Sequence, residues 1–233
     1  MILIKNATLL LALIVLGTTT YAQVTFIPKA GIVFAKIQGE RAVDLEYDFD
    51  NKFGFSAGAA FNFQLNKTFS LQPEVNFVQK GGNNYFRQGD GGFQNKIEHS
   101  IRLNYIELPV ILRIAVGTGK RFYLNVGPFV AMGISGRSKF HQQVIFDFES
   151  FTREEKAEVD FGGAPRGVYD TVFDQYIKSA FDYGFHLGAG INFNKFLVDF
   201  RYGQSLPSIS EDSDDTSAAM QFTIGIPIKS KKS

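Results

Sequence analysis

Cysteine and tryptophan are absent from this 233-residue chain, histidine and methionine occur three times each, and only 20% of the residues are charged. The lack of cysteine excludes a disulfide scaffold, a thiolate metal centre and a cysteine nucleophile. The three histidines, His99, His141 and His186, share no metal-ligand spacing, so no metal or other cofactor is expected. A net charge of +1 and a pI near 7.9 supply none of the basic surface that nucleic-acid binding uses. Helical periodicity is missing as well: beyond residue 22 no segment repeats its apolar residues at helical spacing. What the chain has instead is 25 Phe and 23 Gly. That combination suits strands with aromatics on one face and tiny residues on the other.

Residues 1–22 read as a cleaved signal peptide. Lys5 is their only charge, Ala7 to Leu16 form an unbroken apolar run, and Thr20-Tyr21-Ala22 resembles a small-x-small cleavage site. The run is too short to cross a bilayer as a helix, which needs about 20 apolar residues. No cysteine follows to carry a lipid anchor. The expected mature domain is 23–233, with basic and acidic residues in balance.

Within it, eight segments alternate with period two. In Phe181–Phe193, the odd residues Phe181, Tyr183, Phe185, Leu187, Ala189, Ile191 and Phe193 are apolar. The even ones include Asp182, His186 and three glycines. Segments 53–63, 69–77, 122–134, 196–202 and 220–228 repeat the grammar, and 26–34 does so more weakly. In 97–116 the apolar residues change parity: Ile101, Leu103 and Tyr105 are odd, whereas Ile106, Leu108, Val110, Leu112 and Ile114 are even. A β-bulge at Tyr105-Ile106 would produce that change.

Short turns at 65–68, 117–120 and 194–195 alternate with long connections at 38–51, 82–96, 137–178 and 207–217. This is the pattern of a transmembrane β-barrel with both termini in the periplasm. A soluble lipocalin-like barrel would point its apolar face inward. Here the polar faces carry Lys29, Glu74, Glu107, Arg113, Asp182, His186, Asp199 and Arg201 among glycines, which suits a narrow lumen better than a water-facing wall. The fold expected is all-β, an eight-stranded antiparallel up-and-down transmembrane barrel. Its polar lumen should be filled by a charge network of those eight residues.

Several segments carry a family resemblance: GFSAGAAF (54–61), FSLQPEVNFVQKGG (69–82), LNYIELPVILR (103–113), YLNVGPFVAMGI (123–134), DYGFHLGAGINF (182–193) and LVDFRYGQSL (197–206). Through them the chain resembles the PorT-like outer-membrane β-barrel family, also described as the outer membrane protein β-barrel domain. The resemblance implies an eight-stranded barrel in the outer membrane of a Gram-negative cell, and a link to protein secretion for some members. The last strand departs from the usual outer-membrane pattern, because Ile224, Ile226 and Ile228 stand where a terminal aromatic is expected.

No catalytic site is expected. His186 and Asp182 share a strand face and could orient a general base, but no nucleophile stands near them in the sequence. Glu211 to Asp215 and the acidic residues of 38–51 could bridge to lipopolysaccharide through a divalent cation, although the EF-hand pattern is absent. In 137–178, residues 144–151 alternate well enough to extend barrel strands above the membrane, and 152–158 suits a helical turn. Phe146, Phe148, Phe151, Tyr169 and Phe173 are the candidate contact surface there. The function expected is a non-enzymatic structural or interaction role, linked to secretion or envelope assembly. A membrane hydrolase and a small channel or uptake protein are the alternatives. The expected partners are outer-membrane lipids, lipopolysaccharide and other envelope proteins, around a monomeric barrel.

Overall fold

The computed structural model describes residues 24–38, 46–90, 93–117, 119, 121–146, 149–159, 161, 179–208 and 216–229. Ten strands lie among them: β1 Val24–Gln38, β2 Glu46–Gln64, β3 Phe69–Asp90, β4 Phe93–Val116, β5 Phe122–Phe146, β6 Glu149–Glu158, β7 Phe181–Asn192, β8 Leu197–Ser205, β9 Thr216–Gly225 and β10 Ile228–Lys229. Every pairing is antiparallel, and β1 pairs with both β2 and β9. The sheet therefore closes as a ring of eight, β1-β2-β3-β4-β5-β7-β8-β9, with β6 added to β5 and β10 to β1. Closure removes the free edges that an open sheet of this length would expose.

The period-two pattern sets which way each side chain points. On β3 the even residues Ser70, Gln72, Glu74 and Asn76 are buried in the lumen, and Val75 between them is exposed. On β7, Asp182 and His186 face in, while Phe181, Tyr183, Phe185 and Leu187 face out. The outward residues form an apolar belt of Phe53, Phe55, Phe61, Val110, Phe122, Leu124, Met132, Phe200, Phe222 and Ile224, all exposed. Such a belt is untenable in water and matches the lipid-facing band of an outer-membrane barrel. On β4 it runs from Ile106 to Val116. At roughly 3.3 Å per residue and a tilt near 45°, that stretch spans about 25 Å of bilayer.

Three sequence expectations need correcting. The bulge lies on β5, not at Tyr105-Ile106 of β4. Consecutive β4 residues Asn104 and Tyr105 pair with Ser135 and Gly133, which leaves Ile134 as the extra residue. Strand β4 keeps one phase throughout: Ile101, Leu103, Tyr105, Glu107 and Arg113 all point inward. What changes at Ile106 is the surroundings of the strand and not its register. Second, 82–96 is not a loop, since β3 and β4 stay paired as far as Asp90 and Phe93, and the long connections expected at 38–51 and 137–178 are partly strand, since β2 begins at Glu46 and β5 runs to Phe146. Third, 152–158 belongs to strand β6 and not to a helical turn. Strands β2 to β6 thus rise beyond the belt as a five-stranded sheet continuous with one side of the barrel. The segment 1–22 expected to be a signal peptide, the Glu211–Asp215 cluster, Phe148, Tyr169 and Phe173 lie outside the described residues.

Candidate functional site

The lumen holds two linked polar clusters under an apolar cap. Glu74 is the centre of the cluster nearer the short turns. Arg201 grips it from β8, with Nη1 donating to Oε2 and Nη2 to Oε1, both at 2.9 Å. The Lys29 ammonium pairs with the same carboxylate from β1, and Gln72 and Asn76 donate to it at 2.6 and 2.9 Å. Arg201 also donates to both oxygens of Asp199 at 3.1 Å, and Asn125 donates to Asp199 Oδ1 at 2.8 Å. Arg113 donates to Gln72 at 2.8 Å, and its guanidinium lies 3.6 Å from the centroid of the Tyr123 ring. Charge-assisted, bidentate contacts of this kind are the ones that offset burial of ions.

The second cluster is nearer the end from which the sheet of β2 to β6 rises. The Lys80 ammonium lies 3.1 Å from Glu107 Oε2 and 3.1 Å from Asp182 Oδ2. It also sits 4.5 Å from the centroid of the Phe129 ring, a cation–π contact in a desolvated setting. His186 Nε2 meets Glu107 Oε1 at 2.9 Å, and Ser205 donates to Asp182 Oδ2 at 2.9 Å. Glycine makes the room: a Cβ at Gly203 would press on the His186 ring, and one at Gly190 would overlap Tyr123.

Above Lys80 the lumen turns apolar. Ile37, Ile101, Leu103, Tyr105, Phe129, Ala131 and Val159 form one buried cluster, with Phe161 packed against it. Val159 and Phe161 follow β6, so the chain returns from the sheet beyond the belt into the barrel mouth. The Val159 amide bonds the Gly136 carbonyl at 3.1 Å, and the Phe161 ring rests over Gly133 and 5.9 Å from Tyr105.

All eight residues singled out for the lumen are inward and largely buried. Asp182 and His186 are not a couple, however. The carboxylate partner of the histidine is Glu107, on β4, and the only hydroxyl bonded to either among the described residues is that of Ser205 on Asp182. Among the described residues no hydroxyl is hydrogen-bonded to His186, so the Glu107–His186 pair has no nucleophile to activate among them. No group of three metal-ligating side chains occurs among the described residues. Lys80 was missed by sequence reasoning, although extending the 69–77 alternation to residue 80 places it on the face of Glu74.

Beyond the barrel mouth, the five-stranded sheet has two unlike faces. Its lumen-side face carries Phe93, Ile97, Phe140, Val144, Phe146 and Phe151. Phe93 and Phe146 meet at 5.3 Å across β4 and β5, and Phe146 and Phe151 are 59% and 63% exposed. The opposite face is polar, with Arg102, Arg137, Lys139 and Lys156 grouped near the barrel mouth and Glu98, Glu154 and Glu158 among them.

Residues 21–211 match the model of a family described as the outer membrane protein beta-barrel domain. No curated protein matches the chain. Among solved structures, the attachment invasion locus protein of Yersinia pestis is 11% identical, with a TM-score of 0.40 over 90% of this chain and 100% of that one. Neisserial surface protein A is 11% identical at a TM-score of 0.37, over 86% and 96%. The outer membrane protein OprG of Pseudomonas aeruginosa is 11% identical at 0.35, over 91% and 97%.

Proposed function

We propose that this chain, which belongs to the outer membrane protein beta-barrel domain family, is a non-enzymatic interaction protein. The closed barrel anchors the sheet of β2 to β6, and the lumen-side face of that sheet receives another envelope or secretion protein. The observation that carries the reading is the exposure of Phe146 and Phe151 on ordered, paired strands well outside the lipid-facing belt. Apolar side chains held there by a rigid sheet have no lipid to meet, and they are suited to burial against a partner. The lumen network is given a structural role, because its charges neutralise one another and its apolar cap separates it from the outside.

The reading includes the finer placement among PorT-like proteins of a Gram-negative outer membrane. It also includes export by a leader ending at Ala22 and periplasmic placement of both ends of the barrel. The short turns and the β1–β10 pairing at one end of the barrel support that orientation. The test is crosslinking and pull-down from native outer membranes, comparing the wild type with Phe146→Ser/Phe151→Ser. Loss of the captured protein from a folded double variant supports the proposal. Capture of the same protein at the same yield removes it.

A further inference from the structure

The outward face of the extracellular sheet carries cations where lateral pairing should disfavour them. Arg102 on β4 lies directly opposite Arg137 on β5, and Lys139 on β5 lies directly opposite Lys156 on β6. Like charges placed directly across a strand pair destabilise a sheet. A fifth cation joins these two rows. The Lys52 ammonium donates to Ser100 Oγ, and to Asn83 Oδ1 at 3.1 Å, and Ser100 is the β4 residue opposite Lys139. Burial, reinforced by Arg102 and Lys139, lowers the Lys52 pKa below its ordinary value, which is the signature of a cation lacking a counter-charge. Among the described residues none of these five cations has a carboxylate within ion-pair distance. By register the nearest acids are Asp50, in the row of Asn83, Ser100, Lys139 and Lys156, and Glu158, opposite Arg137; Glu98 lies one row further out, and Glu154 is engaged by His141 at 3.2 Å, so the five cations outnumber the acids beside them.

The height of the cluster identifies what it meets. Arg102 stands four residues beyond Ile106, the last lipid-facing residue of β4. That is about 13 Å along the strand and nearer 10 Å along the membrane normal. Long basic side chains at this level reach back to the headgroup layer. Polar residues fill the interval: Gln79 donates to Asn104 at 3.0 Å, and Asn104 to Ser135 at 2.8 Å.

We propose that Lys52, Arg102, Arg137, Lys139 and Lys156 form a binding site for the phosphate groups of a phosphorylated outer-leaflet glycolipid. The lipid phosphate supplies the missing negative charge, and the two arginines are suited to bidentate contact with it. The site occupies only the β4–β6 side of the barrel, so one flank of the protein takes the lipid headgroup and orients the sheet beside it. This mode uses direct cation–phosphate contact and needs no bridging divalent metal.

The test uses the full chain folded in detergent micelles, titrated with bisphosphorylated lipid A, its dephosphorylated counterpart or inorganic phosphate, each with and without EDTA. The site predicts saturable binding of the phosphorylated lipid that survives EDTA and weakens with salt. Arg102→Gln/Arg137→Gln/Lys139→Gln should weaken that binding roughly a hundredfold, at about fivefold for each cation at an anionic lipid surface. The lipid-free variant should be at least as stable as the wild type, because repulsion has been relieved. A variant that is less stable without lipid, or that binds lipid A as well as the wild type, overturns the proposal. Equal binding of the dephosphorylated lipid, or saturation by inorganic phosphate alone at similar concentration, also overturns it. Lys156→Gln alone, at an exposed position, serves as the mild variant and should weaken binding severalfold; no change there counts against the site.

Discussion

Arg201 and Glu74 face one another across the full width of the barrel. Their strands, β8 and β3, are four places apart in the ring of eight, and two parallel hydrogen bonds of 2.9 Å join them. A wall-to-wall ion pair of this kind ties opposite sides of the sheet together and closes the lumen at that level.

Breaking one half of this pair should cost far more than removing both. Arg201→Met leaves Glu74 and Asp199 in the lumen with less positive charge than they are built to meet. The expected loss is about 3–5 kcal/mol. Glu74→Leu combined with Arg201→Met should recover a large part of it, since no uncompensated carboxylate remains at position 74. Urea unfolding of the barrel in phospholipid vesicles, followed by heat-modifiable gel mobility, measures both. A double variant as unstable as the single one would show that the pair is not coupled.

Lys80 carries the same logic in the second cluster. Lys80→Met leaves Glu107 and Asp182 without the ammonium they share, and it should destabilise the barrel by about 3–5 kcal/mol. His186→Asn and Asp182→Asn should change stability alone. A hydrolytic activity towards lipid or peptide that disappears in either folded variant would contradict the structural role given to the lumen.

The lumen is closed twice, by the Arg201–Glu74 bridge and by Val159 and Phe161 above it. The wild type should therefore be silent in planar bilayers. Val159→Ser/Phe161→Ser should stay silent too, because it opens a vestibule over an intact ionic layer. Only a variant that also carries Glu74→Ala and Arg201→Ala should conduct. Steady single-channel openings from the wild type would sink the closed-lumen reading.

Lumen and lipid faces were legible in the sequence because strand parity is binary: each apolar residue between two polar ones has one side to go to. Glu74, Asp182, His186, Asp199 and Arg201 were placed on that basis alone. The same rule misled at Tyr105, where it assumes that apolar means outward. Above Ile106 no lipid lies outside, and the barrel mouth offers an apolar interior, so Ile101, Leu103 and Tyr105 turn inward with no change of register. The bulge on β5, at Ile134, falls on the last residue of 122–134 and so leaves the alternation of that segment intact. Partners across the ring were beyond reach as well. His186 shares its face with Asp182, but which carboxylate it meets depends on the stagger of β4 against β7, which no local pattern encodes.

The sheet of β2 to β6 should loosen in acid, through His99. This residue lies on β4 with its Nε2 2.7 Å from Ser138 Oγ, and the Phe140 ring is 6.4 Å away. Burial lowers its pKa below the usual histidine value. Above the unfolded pKa, near 6.5, folded and unfolded chains both hold it neutral and it costs nothing. As the pH falls past that point the unfolded strand takes up a proton that the folded sheet resists, so stability is lost between the unfolded and folded pKa values. Hydrogen exchange of the amides in 93–104 and 135–146, corrected for intrinsic rates, should show more frequent opening at pH 5 than at pH 7.5. The belt-spanning amides of 106–116 should not change in the same way. His99→Gln keeps a hydrogen-bonding side chain beside Ser138 and removes the titration, so its opening should be independent of pH over that range. If the dependence persists in His99→Gln, the acid sensitivity belongs to another group of the sheet.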